Sequence, residues 1–444
     1  MDSALFDAGS TPAAQQPHWD DAQQVTGVRE QLSRSQPLVR AEDVATLQSQ
    51  LARVADGRAH VLQSGDCAED PEECDRTSVL RKAALLDLLA ATMTLTTHRP
   101  VLRVGRIGGQ FCKPRSNTTE DVDGLVLPPY RGHMVNRPMP TVEARRPNPH
   151  HILTGYSAAR EVMDHLGWRG AATPSVSHGP IWTSHEALLL DYELPMLRPA
   201  EDGKLLLTST HWPWIGARTG QLDGVHVALL ARLVNPIACK VGPRMTAEGL
   251  LALCERLDPD RVPGRLTLIV RMGAAAVSTL LPPLVRAVRA AGHPVIWLSD
   301  PMHANTVRAP CGRKTRYLES IVREVRAFQI AVRGGGGTPG GLHLETTPNS
   351  VSECVADESA VHEVPYNYTT FCDPRLTAEQ AQLVASAWQS ESELSACADA
   401  ELATGELTDA ELAEAGMGPP GSGHRMTGRS RLAQATPRFA PAHR

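Results

Sequence analysis

Eight short apolar runs recur along this chain of 444 residues, and each ends in charged or metal-capable side chains. They cover residues 60–67, 101–106, 181–186, 205–211, 237–240, 266–271, 295–300 and 341–345. Helical patterns lie between several of them, at 76–97, 246–257, 275–292 and 315–332. Asp258-Pro259 and Gly292-His293-Pro294 stop two of these helices just where a strand should follow. Eight strands alternating with helices, with polar residues at the strands' C-terminal ends, predict an α/β fold of the (β/α)8 TIM-barrel kind. A doubly wound open sheet would concentrate functional residues at one switch point rather than on nearly every strand.

The composition fits one large core. Hydrophobic residues make up 42% of the chain but aromatics only 4%, so Leu, Val, Ala and Ile must fill most of it. The net charge of −5 offers no basic excess for a nucleic acid. No apolar run reaches the ~18 residues that a membrane span needs. An acid near the N-terminus, Asp2, stands where a signal peptide needs basic residues, and nine irregularly spaced cysteines suit a reducing compartment. A cytoplasmic protein is expected, with no membrane or nucleic-acid partner. Residues 1–17 read as a flexible tail. Residues 18–57 read as a helical extension with Val44, Leu47, Leu51 and Val54 on one face, and 58–390 as the barrel. Residues 391–416 hold eight acids and no Lys or Arg, and 421–444 hold five Arg and no acid. The span 391–444 therefore reads as an acidic helical piece followed by a disordered tail.

Only five of the 44 basic side chains are lysine. Lys113, Lys240 and Lys314 fall beside other charges, where a compact ammonium does what a planar guanidinium fork cannot. Lys82 and Lys204 read as incidental. Arg106, Arg115, Arg218, Lys240 and Arg271, with Lys113 and Lys314, would converge on one barrel mouth. Such a set is costly unless multiply charged anions fill it, phosphates and carboxylates above all. A metal-capable set is placed similarly: Cys67, His303, Glu345 and Asp373. One thiolate, one imidazole and two carboxylates suit Mn²⁺, Fe²⁺, Co²⁺ or Zn²⁺ better than Mg²⁺. No short spacing ties these four together; their place at or just beyond strand ends does. Gly105–Gly109 lacks dinucleotide-loop spacing, Gly334–Gly337 lacks a phosphate-loop Lys, and His185-Glu186 lacks the second His of a zinc-protease helix.

Taken together, these segments resemble the type II, plant-like family of 3-deoxy-D-arabino-heptulosonate 7-phosphate (DAHP) synthases. The resemblance runs from about Trp19 to Ala387. It rests on Gly65-Asp-Cys-Ala-Glu69, Gly105-Arg-Ile-Gly-Gly-Gln-Phe-Cys-Lys-Pro-Arg-Ser116, Thr183-Ser-His-Glu186 and Trp214-Ile-Gly-Ala-Arg-Thr219. Asn235-Pro-Ile-Ala-Cys-Lys-Val-Gly-Pro243, Arg271-Met-Gly273, Asp300-Pro-Met-His303, His343-Leu-Glu345, Glu353-Cys354 and Cys372-Asp-Pro-Arg-Leu376 extend it. It implies a TIM barrel that condenses phosphoenolpyruvate with erythrose 4-phosphate at the opening of the shikimate pathway. By family role, Cys67, His303, Glu345 and Asp373 would hold a divalent metal, Mn²⁺ foremost. Arg106, Arg218, Lys240 and Arg271 would hold phosphoenolpyruvate. Lys113, Arg115 and Ser116 would take the aldose phosphate, joined by Lys314. Lys240, Glu186 and His303 are the expected catalytic groups, with Glu186 relaying a proton through water. A homo-oligomer, dimer or larger, is expected.

The chain departs from the family pattern at several positions. Ala217 stands for the Glu before Arg218, His133 for an Asp, Ala304 for a Gly, and Thr346-Thr347 for Thr-Gly. The stretch 131–183, where relatives carry inhibitor-binding helices, is short and proline-rich, with room for one helix near 151–166. Insensitivity to aromatic amino acids and service of a specialised bacterial pathway follow as expectations. An amino-DAHP synthase using imino-erythrose 4-phosphate is the alternative enzyme reading. A catalytically silent regulatory or binding paralogue is the alternative of another class.

Overall fold

The computed structural model describes residues 13–122, 124–168 and 179–390, with 392 and 394 beyond. The acidic piece and tail expected over 391–444 otherwise lie outside the described residues. Eight parallel strands form one curled sheet: β1 His60–Gly65, β2 Val101–Arg106, β3 Trp182–Thr183, β4 Trp214–Ile215, β5 Ile237–Val241, β6 Leu266–Val270, β7 Ile296–Ser299 and β8 Pro339–Glu345. The neighbour order is β3-β2-β1-β8-β7-β6-β5-β4. The two ends of that order meet, because Trp214 N donates to His185 O at 3.0 Å and Ala187 N to Trp214 O at 3.0 Å. The sheet thus curls into the TIM-like barrel that the rhythm predicts. Its strands read as continuous apolar runs because both faces are covered.

One strand lies elsewhere than expected. Residues 205–211 do not supply the fourth barrel strand. Leu205–Leu207 instead pairs antiparallel with Leu197–Pro199 in a hairpin outside the barrel. The fourth strand is Trp214–Ile215, in register with Ala238 and Cys239 of β5. The helices between strands follow their patterns closely, at Arg76–Thr97, Ala247–Leu257, Val277–Ala290 and Leu318–Gly334. Of the two N-terminal helices, Ala22–Ser33 and Ala41–Ala55, the second seals the barrel's bottom. Its Gln50 accepts from Trp182 Nε1 at 3.0 Å, at the start of β3. Its buried stripe is Val44, Leu47, Leu51 and Val54, the face its 3.6-residue spacing predicts. Residues 13–17 belong to the stretch expected to be a loose tail, yet they are pinned. Gln16 Nε2 donates to Leu188 O and Gln15 Oε1 accepts from Arg115 N.

The core is aliphatic, as the composition requires, with Trp182, Trp212, Trp214 and Trp388 fully buried among the Leu and Val side chains. The barrel interior also carries a polar column. Gln63 Nε2 donates to Ser184 Oγ (2.7 Å), Gln63 Oε1 takes the proton of His343 Nδ1 (2.5 Å), and Arg106 Nη1 donates to His343 Nε2 (2.8 Å). Each buried polar atom so satisfied holds its neighbour's rotamer, and the column ends at the mouth of the barrel. No described helix is long and apolar enough to cross a membrane.

Candidate active site

The strands converge, and their C-terminal ends open into a cavity of about 770 Å³. Lys113, Arg115 and Ser116 line it from the loop after β2, and Glu186 from beyond β3. Ala217 and Arg218 follow β4, Lys240 lies on β5 and Arg271 follows β6. His303, Ala304, Lys314 and Arg316 follow β7, and Asp373 follows β8. All the predicted substrate-binding residues except Arg106 therefore share one cavity, and Arg106 lies buried just below it.

At its floor, ligand atoms of Cys67, Glu345 and Asp373 all lie within 4.8 Å of one another, a group that could hold a metal ion. Cys67 and Glu345 sit at the ends of adjacent strands, since Gly65 of β1 is in register with Glu345 of β8. Cys67 Sγ is 3.6 Å from Asp373 Oδ2. His303 stands at the margin of this group, its Nε2 3.7 Å from Glu345 Oε1. Its other nitrogen, Nδ1, is 2.8 Å from Asp300 Oδ2. A proton held on Nδ1 by that carboxylate leaves the Nε2 lone pair facing Glu345, the tautomer a metal ligand needs. The donor set therefore fits a divalent cation of intermediate softness. Four cations brace it: Arg106 Nη2 at 3.1 Å and Lys113 Nζ at 3.8 Å from Glu345 Oε1, Arg316 Nη1 at 2.9 Å from Oε2, and Lys314 Nζ at 2.6 Å from Asp373 Oδ1. Burial opposes charge on Glu345 and Asp373, but these neighbours hold both carboxyls below their usual range. Burial also pushes the Cys67 thiol up.

Above the floor, Lys240 Nζ is ion-paired with Asp300 Oδ2. Burial pulls its pKa down to about 8 against the attraction of Asp300. Asp300 is itself buried, yet His303 and Lys240 hold it well below the ordinary carboxylate range. One carboxylate thus orients both the imidazole and the ammonium. The Nε donors of Arg106 and Arg271 are buried without a hydrogen-bond partner, an arrangement that costs free energy unless an anion supplies the acceptor. Glu186 is buried too. Its desolvation raises the pKa in spite of Lys113, Lys240, Arg218 and Arg106 nearby, and its Oε1 is unpartnered. Room for that carboxyl comes from Gly216, where a Cβ would lie 2.0 Å from Glu186 Oε1.

The rim differs in character. Arg218 is exposed and donates from Nε and Nη2 to Ser116 Oγ at 3.0 and 2.7 Å. Arg115 Nη2 bonds Glu120 Oε2 at 2.5 Å. Two functional candidates escaped the sequence reading. Asp300 carries a visible signal, an acid ending a strand three residues before His303. Arg316 shares the inward face of Lys314–Arg316 with Lys314, by the two-residue period of a strand.

A model of the class-II DAHP synthetase family matches residues 6–169 and 157–388. The chain is 53% identical over 379 residues to a probable phospho-2-dehydro-3-deoxyheptonate aldolase of Pseudomonas fluorescens, covering 85% of this chain and 95% of that one. It is 39% identical to the phospho-2-dehydro-3-deoxyheptonate aldolase of Streptomyces coelicolor, over 84% of this chain and 95% of the other. A protein of the same name from Mycolicibacterium smegmatis, AroG, is also 39% identical, over 86% and 92%. With eight strand ends, a convergent cation set and relatives matched over nearly their whole length, the chain belongs to the class-II DAHP synthetase family.

Proposed function

We propose that this protein is a DAHP synthase, joining phosphoenolpyruvate to erythrose 4-phosphate with water and releasing phosphate. The observation that carries the reading is the shared cavity. Cations sufficient for two phosphates and a carboxylate line it, directly above the Cys67, Glu345 and Asp373 group. Cys67, His303, Glu345 and Asp373 would hold a divalent cation, Mn²⁺ or Co²⁺. When bound, it supplies Lewis acidity toward the aldehyde carbonyl.

The chain's own residues account for the rest. Arg106, Lys240 and Arg271 sit deep, where fixed positive charge is worth most, and hold the phosphoenolpyruvate anion. Arg218 closes on it from the rim. Lys113, Arg115, Ser116 and Lys314 sit on loops across the cavity and take the aldose phosphate. Fixing two anions that would repel in water makes the bimolecular encounter effectively intramolecular. Glu186, its pKa raised by burial and one oxygen unpartnered, can take a proton from the water that adds at the reacting carbon and relay it onward. The short stretch 131–183 supports service of a specialised pathway, because its described helices, Val142–Arg145 and His150–His165, leave little to build an inhibitor pocket. The test is phosphate release from purified protein with Mn²⁺, phosphoenolpyruvate and erythrose 4-phosphate. Release that requires both substrates supports the reading; none with fully metallated protein would end it.

A further inference from the structure

Beneath the floor of the site lies a chain of four buried charges that the reaction itself does not use. Arg375 Nη1 donates to Asp66 Oδ1 at 2.8 Å. Its Nε and Nη2 grip Glu353 at 3.0 and 2.8 Å, and Nη2 also reaches Thr369 Oγ1 at 2.8 Å. Asp66 meets Lys82 Nζ at 2.8 Å on its other side. Lys82, incidental on the sequence pattern, is instead buried and paired: it reaches Glu73 at 3.0 Å as well.

The placement of these groups gives them meaning. Asp66 immediately precedes Cys67, and Arg375 follows Asp373 by two residues. Glu353 accepts from the backbone N–H of Arg375 at 2.8 Å and of Thr370 at 2.8 Å, so its carboxylate gathers both ends of the loop that carries Asp373. Within the loop, Thr370 Oγ1 donates to Asp373 O at 2.8 Å. A guanidinium fork with fixed geometry therefore spans the gap between the segment bearing one ligand and the segment bearing another, which lie some 306 residues apart in sequence.

We propose that Arg375 is a positioning residue of the metal site, setting the separation of Cys67 and Asp373 through Asp66 and Glu353. This rests on the reading of Cys67, His303, Glu345 and Asp373 as metal ligands. Lysine cannot replace the fork, having one point of charge for acceptors on three sides. Arg375→Lys keeps a buried cation between Asp66 and Glu353, but the two ligand segments are no longer held in one register.

The experiment is a titration of the metal-free protein with Co²⁺, followed by the thiolate-to-cobalt charge-transfer band and paired with a thermal melt. Wild type shows the band, from Cys67. Arg375→Lys is expected to bind Co²⁺ about tenfold to a hundredfold more weakly, the usual cost of losing an outer-shell partner, with the band displaced. Asp66→Asn removes the charge from one arm only and shifts affinity in the same direction by less; it carries the test if the Lys variant does not fold. A folded variant with a lower melting temperature but wild-type affinity and band position overturns the proposal, since the network is then packing alone. A wild type without a thiolate band overturns the ligand reading, and the proposal with it.

Discussion

The floor and the rim of the cavity are built by opposite means. The floor is carried by strand ends: Arg106 closes β2, Lys240 lies within β5, Glu345 closes β8, and all three are buried. Each of these three meets an opposite charge, Arg106 and Glu345 in each other and Lys240 in Asp300. The rim is carried by loops: the exposed Arg218 meets only a serine hydroxyl, and the half-buried Arg115 meets the half-buried Glu120. Two of the departures from the family pattern, Ala217 and Ala304, line the cavity, and none of the four expected metal ligands or the deep cations Arg106 and Lys240 is replaced. A barrel can change what its loops accept while the strands keep the chemistry fixed.

If that contrast is right, damage to the floor should be far worse than damage to the rim. The largest effect is expected from metal removal. Exhaustive dialysis against EDTA should abolish phosphate release, and Mn²⁺ or Co²⁺ should restore it. Activity that persists in protein shown to be metal-free by elemental analysis would remove the ligand assignment.

Next in size is Lys240→Arg. Lys240 is buried with its Nζ ion-paired to Asp300, and Arg271 follows the neighbouring strand, so a wider planar fork must displace its packed neighbours. Steady-state kinetics should give a loss in kcat/KM of at least about tenfold, roughly 1.4 kcal/mol. Wild-type kinetics would make Lys240 a bystander. The same residue sets a pH limit. Its folded pKa is lowered to about 8 by burial, so the charge is present below that pH and is lost as pH rises through it. kcat/KM for phosphoenolpyruvate, which reports the free enzyme, should fall above pH of about 8. A profile flat to pH 9.5 would contradict it.

Residues at the ends of the longer strands were the legible part of the sequence; short strands and long-range buried partners were not. Cys67, Lys240, Arg271 and Glu345 stood out because long strands repeat an apolar pattern and then break it with one polar residue. Trp214–Ile215 escaped because a two-residue strand has no periodicity to read, while the apolar 205–207 run offered a better pattern and proved to be a hairpin. Lys82 was misjudged for a related reason. The helix Arg76–Thr97 is apolar on most sides, with Leu80, Leu88 and Leu95 exposed, so its sequence marks no inward face. The partners of Arg375 lie more than 300 residues away along the chain in one direction, at Asp66, a contact only the closed barrel creates.

The smallest effect, and the sharpest test of the rim, is expected from Ala304→Gly. Ala304 sits directly after His303 with φ +73°, in the left-handed region where an L side chain is strained. That conformation costs a non-glycine residue about 1–2 kcal/mol. Glycine removes the strain but gives the unfolded chain more freedom, worth about 0.4–1 kcal/mol in the other direction. The net is a gain of about 0.5–1 kcal/mol and a rise in Tm of about 0.5–1 °C for a chain of this size. Calorimetry showing a fall in Tm would mean the Ala304 methyl makes packing contacts that outweigh its backbone strain. Kinetics separate the two regions at the same time. If loops alone set aldose preference, KM for erythrose 4-phosphate shifts by up to about threefold while KM for phosphoenolpyruvate stays put. A change confined to phosphoenolpyruvate would show instead that the loop after β7 governs the floor through His303, and the division between the two regions would have to be redrawn there.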